Sequence, residues 1–395
     1  MWIAKFSLKF YFLFIVLSLI GDIIIRYNSL HIDTIVVYVL YVSLFLIDIL
    51  IGNQIPEIHI PLFKISPKPL IYTILPISII SVILSWYYMI THYGSLDYIF
   101  AHAFGVRSET IGDGEQLVPV YLSYAKAFVF SGFAISIIMY KKLKEYRWLL
   151  FSLCFGIVAF LSDLMNFGRV GTLYIIFMIA AYVLISVKRI NYKKLFIGGG
   201  LLSVILMIPK FIRSGGTLSD TQDAFSRYLK FPIPELFFPL VQIYYYYFSG
   251  LYALDELLQS FNNELSYGAR AFAALINLGQ RIISQGESMH RVTIIAKNAH
   301  VPFETNIYTI IGESYMDFGM LGIIVLSIFY GINLGYLFKY KGFYAESLKL
   351  ALLAWLFYTP LYNVFSFGAY LLTFLFLVFL TIFSKKVIIN NQSIK

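Results

Sequence analysis

Long apolar runs alternate with short polar joints along the chain, and the run lengths set the first expectation. A helix crossing a bilayer core needs about twenty apolar residues. Such runs occur at about 10–25, 32–51, 70–91, 119–140, 148–163, 170–187, 195–212, 317–338, 347–363 and 365–384. They predict an all-α, polytopic integral membrane protein of about 10 transmembrane helices, with 10–12 as the range. The first run follows Lys5 and Lys9 and lacks a small-residue cleavage site before Gly21 and Asp22, so it reads as an uncleaved span.

One stretch interrupts the alternation. Residues 213–306 are polar and aromatic and carry Arg213, Arg227, Arg270, Arg281, His290, Arg291 and His300. The chain therefore divides into an N-terminal membrane bundle of about seven spans (1–212), a long loop with interfacial or re-entrant helices (213–306), and a C-terminal bundle of about three spans (307–395). Within the loop, 237–254 is apolar enough to cross. A single crossing would invert every later joint, and Pro232, Pro234, Pro239 and Gly250 break the run into short pieces. The expectation is a re-entrant or interfacial element. Its tyrosine run, Tyr244 to Tyr247, suits an aromatic belt, and Tyr245 also offers a face for a sugar ring.

Composition narrows the class. With 59% hydrophobic and 13% charged residues and a mean hydropathy of +0.78, the chain is no soluble globule. The net charge of +9 is dispersed among the joints, which makes it a topology signal and argues against nucleic acid. Lys5 and Lys9, Lys64 and Lys68, Lys141 to Arg147, Lys188 to Lys194, Lys339 to Lys349, and Lys385 to Lys395 all fall on one side of a ten-span arrangement. The opposite short joints hold Arg26, Arg107 and Arg169. Both termini are then cytoplasmic and the long loop faces outward. Cys154 is the single cysteine, and the six histidines show no ligand spacing, so no metal and no cofactor are expected. His92 and Asp97 share an acyltransferase-like spacing without supporting surroundings.

Charges at membrane depth cost several kcal/mol and mark pathways or sites. Lys126 lies about six residues, roughly 9 Å, inside a span that starts outside. Arg169 opens another span, and Lys210 and Arg213 end a third. These cations share the depth of a lipid-linked phosphate or diphosphate, although snorkelling explains each one taken singly and is the favoured account of Lys210. Projected as a helix, 268–283 sets Arg270, Asn277 and Arg281 within about 40° of one another and opposite an apolar stripe, as in a helix lying on a membrane. Glu287, His290 and Arg291 follow, a set able to supply a titrating group and another phosphate ligand. Glu313 and Asp317 are four apart at the outer end of the eighth span, where a carboxylate can act as a base or hold an arginine. Gly331 and Gly335 have the spacing of close helix packing.

Several of these residues carry a resemblance. Asn306-Ile307-Tyr308-Thr309, then Tyr315 to Gly322 ("YMDFGMLG"), and "FGRVGTLY" at 167–174, with the whole layout, resemble the oligosaccharide repeat-unit polymerases of the Wzy-type O-antigen polymerase family. The resemblance implies a glycosyltransferase-C-like fold with one large periplasmic loop in the bacterial inner membrane. It further implies a metal-independent glycosyltransferase of lipopolysaccharide and polysaccharide biosynthesis, which moves a glycan from undecaprenyl diphosphate onto a lipid-linked repeat unit. Undecaprenyl-diphosphate-linked oligosaccharides, membrane lipid and a chain-length regulator are the partners it implies. An Arg-x10-Gly repeat found in some members has no match in this loop. On this basis the expected catalytic residues are Arg169, Arg270, Arg281, Glu313, Asp317 and His290, and the expected substrate contacts are Lys126, Arg213, Arg291 and Tyr245. An O-antigen ligase, or a flippase for lipid-linked oligosaccharides, shares part of this pattern. A flippase would be expected to show two comparable halves, which this sequence lacks.

Overall fold

The computed structural model describes the chain except residues 26, 28, 112–117, 166, 187–204, 210, 213–225, 235–236, 261–264, 277–278, 280–298, 302–303, 306–307 and 386–395. The described elements are helices: α1 (Trp2–Ile24), α2 (Ile32–Gln54), α3 (Pro67–Tyr93), α4 (Leu96–Ala101), α5 (Ala103–Ile111), α6 (Val120–Leu143), α7 (Tyr146–Leu164), α8 (Val170–Ser186), α9 (Phe238–Phe248), α10 (Gly250–Ser260), α11 (Thr309–Phe338), α12 (Phe343–Tyr358) and α13 (Gly368–Phe383). One two-residue antiparallel pair, Ala299–His300 with Glu304–Thr305, is the only sheet among the described residues.

Among the described residues, six helices are long and apolar enough to cross a membrane: α1, α2, α3, α6, α7 and α11. α8 and α13 are shorter apolar helices. The expected run at 195–212 lies mostly outside the described residues, with 205–209 and 211–212 helical. Each other expected run overlaps a helix. The 237–254 stretch is two helices of 11 residues, α9 and α10. Each is about 16 Å long, half of what a crossing needs.

The chain folds into two compact units that do not follow its order: 1–56 with 218–339 and 356–366, and 57–217 with 340–355 and 367–395. These units cut across the three-part division suggested by the long loop.

In the first unit, α2 and α11 pack in parallel through small residues. A Cβ on Gly335 would stand 2.1 Å from the Ile49 carbonyl oxygen, and one on Gly52 2.1 Å from that of Ile332. Close backbone approach is how helices gain packing energy in lipid, where water drives nothing. The start of α2 is capped from α10: Asp255 accepts hydrogen bonds from the His31 amide (3.0 Å) and Thr34 Oγ1 (2.5 Å), and it meets His31 Nδ1 at 3.0 Å. The tyrosines of α9 act as ties: Tyr247 donates to the Phe357 carbonyl at 2.6 Å and Tyr244 donates to that of Leu17.

α11 is not one helix. Phe318 (φ −140°, ψ 18°) and Gly319 (φ 62°, ψ −147°) break it into 309–317 and 320–338. The second piece is about 28 Å long, close to a bilayer core, and begins near the expected 317. The first piece is separate. Glu313 and Asp317 therefore stand on a short helix before the break, not at the outer end of the span itself. Gly319 supplies the positive φ, which a side chain at that position would strain. Gly322 lets the chain fold tightly, since a Cβ there would stand 2.0 Å from the Ser314 carbonyl oxygen.

In the second unit α6 is the centre, packed by α3, α7, α8 and α13. The Phe155 ring of α7 fills the notch at Gly132, where a Cβ would meet it at 2.3 Å. At one end, Glu346 takes ion pairs from Lys141, at 3.0 Å, and from Lys142.

Candidate functional site

The break in α11 leaves carbonyls without helical donors, and the loop at 266–271 supplies donors in their place. The Met316 carbonyl accepts from the Ser266 amide (3.0 Å) and Oγ (3.1 Å), and the Asp317 carbonyl accepts from the Tyr267 amide at 2.9 Å. The Asp317 side chain completes the clasp. Oδ1 accepts from Ser266 Oγ at 2.6 Å and from the Arg270 amide at 3.1 Å, while Oδ2 accepts from the Ala271 amide at 2.7 Å. This carboxylate is fully buried. It caps a helical segment whose next bonds run from Phe272 to Gly268 and from Ile276 to Phe272. Arg270 thus sits in the first turn of that segment. Leu275 and Ile276 are exposed while Ala271 and Ala274 are buried, so part of the apolar stripe expected for 268–283 faces outward.

Glu313, one turn before Asp317, meets a different partner. Its Oε2 accepts from the Asn363 amide at 2.7 Å, and Asn363 Nδ2 donates to the Tyr330 hydroxyl at 2.8 Å. The Arg270 guanidinium lies close enough to act electrostatically on Glu313, as does Asp317. Arginine, two carboxylates, an amide and a phenol are therefore gathered where the membrane helix breaks. Arginine holds phosphate oxygens through a planar fork of N–H donors, and a carboxylate beside it can take a proton or balance its charge.

The second unit holds another cluster, at the turn between α7 and α8. Asp163 accepts from the Gly171 amide (3.1 Å), the Thr172 amide (2.5 Å) and Thr172 Oγ1 (2.8 Å), and so caps α8. Gly171 leaves room for it: a Cβ there would stand 2.9 Å from Asp163 Oδ1. Lys126 acts electrostatically on Asp163 from α6. Arg107 Nη1 is 3.7 Å from where a Cβ on Gly168 would stand, and half-buried Arg169 immediately precedes α8. Lys126 is thus within electrostatic reach of the half-buried Asp163, while Arg107 and Arg169 border the same turn.

Of the residues singled out by sequence, Arg270, Glu313 and Asp317 come together in the first unit, and Lys126 and Arg169 belong to the cluster of the second. Lys210, Arg213, Arg281, His290 and Arg291 lie outside the described residues. Tyr245, expected as a belt residue or a sugar face, is half-buried: its hydroxyl donates to the Val301 carbonyl at 2.8 Å and its ring stacks on Tyr27 at 6.3 Å. Sequence reasoning missed Asp163, Ser266 and Asn363. An acidic residue ending an apolar run was a usable signal for Asp163. Ser266 and Asn363 carried none, because their partners lie about fifty residues away. Among the described residues, no group of three or more His, Cys, Asp or Glu side chains could hold a metal ion.

Compared with known proteins, the chain matches no family model, no curated protein and no solved structure.

Proposed function

We propose that the protein is a metal-independent membrane glycosyltransferase that polymerises oligosaccharide repeat units carried on undecaprenyl diphosphate, at the periplasmic face of the bacterial inner membrane. In this reading about ten spans cross the membrane, both termini are cytoplasmic, and a chain-length regulator is a partner. A hydroxyl of the incoming lipid-linked unit attacks the anomeric carbon of the growing chain. The bond from that carbon to the diphosphate oxygen breaks, and the diphosphate leaves with the electron pair. Its new negative charge is the main barrier, and a preorganised arginine stabilises it without a metal. Arg270 takes that role. Glu313 is the candidate acceptor for the hydroxyl proton. The observation that carries the reading is Arg270, fixed through its own backbone beside Glu313 at the break of a membrane helix.

Gel analysis of surface lipopolysaccharide from a deletion strain tests it. A core bearing one repeat unit is the expected result. A bare core would indicate a ligase or a flippase, and an unchanged ladder would overturn all three.

A further inference from the structure

Asp317 and Glu313 are both carboxylates, four residues apart on the same short helix, and they are not equivalent. Three donors converge on the Asp317 side chain: Ser266 Oγ, the Arg270 amide and the Ala271 amide. The side chain is fully buried, and the carbonyls of Met316 and Asp317 bind the same loop. Both carboxylate oxygens are occupied by these donors, so the side chain is committed to the loop. Two of the donors are the backbone amides of Arg270 itself and of the residue after it, so the carboxylate fixes the backbone from which the guanidinium extends. Glu313 is bonded instead to Asn363, on a different segment.

We infer that Asp317 is a positioning residue for Arg270 and takes no part in proton transfer. This rests on the glycosyltransferase reading, and it divides labour within that site. Arg270 meets the diphosphate, Glu313 is the carboxylate of the pair that faces the reaction, and Asp317 locks the turn carrying the arginine. Ser266 is the second half of the lock, because it both donates to the carboxylate and closes the broken end of α11. Preorganisation of this kind matters because a charged group displaced by about 1 Å can lose about a hundredfold in rate.

The test is a double-mutant cycle on the full-length protein in membranes, read as polymer formed from lipid-diphosphate-linked repeat units, together with hydrogen exchange at the amides of Arg270 and Ala271. Arg270→Ala is expected to lower product about a hundredfold. Asp317→Asn alone is expected to lower it substantially and to speed exchange at both amides about tenfold or more. In the Arg270→Ala background, Asp317→Asn is expected to cost no more than about twofold, because a residue acting through Arg270 has nothing left to act on. Ser266→Ala leaves the carboxylate in place and serves where Asp317→Asn fails to fold. It is expected to give a smaller loss that also disappears without Arg270. A further loss of about tenfold in the double variant would overturn the inference, as would unchanged exchange at the two amides. The exchange measurement needs no enzyme activity, so a wild-type protein without product would refute the glycosyltransferase reading while the clasp is judged on exchange alone.

Discussion

Asp317 and Asp163 do the same job in two units of the molecule by different routes. Each aspartate, Asp317 buried and Asp163 half-buried, accepts two successive backbone amides and one hydroxyl, and each thereby fixes the start of a helix that carries or follows an arginine. Asp163 reaches eight or nine residues along its own chain, across one tight turn. Asp317 reaches back 46 to 51 residues, from a broken membrane helix to a loop. The charge around them differs too. Lys126 lies within electrostatic reach of Asp163, whereas the charge nearest the Asp317 clasp acts on Glu313. The turn in the second unit is therefore a locally encoded cap with a counter-charge. The clasp in the first unit depends on the tertiary fold, and it leaves its arginine beside a second carboxylate.

Substitutions can break this comparison, and the largest expected effect is at Asp163. Asp163→Ala would strip two amides and the Thr172 hydroxyl of their acceptor and remove a carboxylate within electrostatic reach of Lys126, a loss of about 3–5 kcal/mol. Adding Lys126→Met should return a good part of it, which unfolding of the purified protein in detergent or bicelles would show. Asp317→Ala should cost about 2–4 kcal/mol from its orphaned amides and hydroxyl. Adding Arg270→Met should recover nothing, because the lost bonds run to backbone. Equal rescue in both units would erase the distinction. Gly319→Ala forces a side chain into the positive-φ break and should cost about 1–3 kcal/mol, with Met316 and Asp317 losing their loop partners together. The smallest effect is at Glu346, whose half-exposed pairs with Lys141 and Lys142 are worth about 1 kcal/mol or less; Glu346→Gln should move the same unfolding transition only slightly.

How much of this could be read in advance follows from the same contrast. Apolar run length located the helices, because a bilayer sets a length that composition alone can meet. The prolines and glycine of 232–250 foretold that α9 and α10 would not form one crossing helix, and Gly331 and Gly335 foretold close packing. Arg270 and Glu313 stood out as charges at the membrane boundary. The break at Phe318 and Gly319 was hidden inside an apolar run, since a single glycine there is compatible with a continuous helix. Asn363 and Ser266 were hidden for a different reason: each matters only through a residue about fifty positions away, and no periodicity records such a pairing. The bond from the Tyr245 hydroxyl to the Val301 carbonyl was hidden for the same reason, since its partner lies 56 residues away.

We propose that Arg270 stabilises a departing diphosphate. The most direct measurement is single-turnover glycan transfer by protein reconstituted in lipid vesicles with undecaprenyl-diphosphate-linked repeat units, comparing wild type, Arg270→Lys and Arg270→Ala. A loss of about a hundredfold is expected for alanine and an intermediate loss for lysine, which keeps the charge but not the fork. Alanine protein that is folded and transfers at the wild-type rate would contradict it.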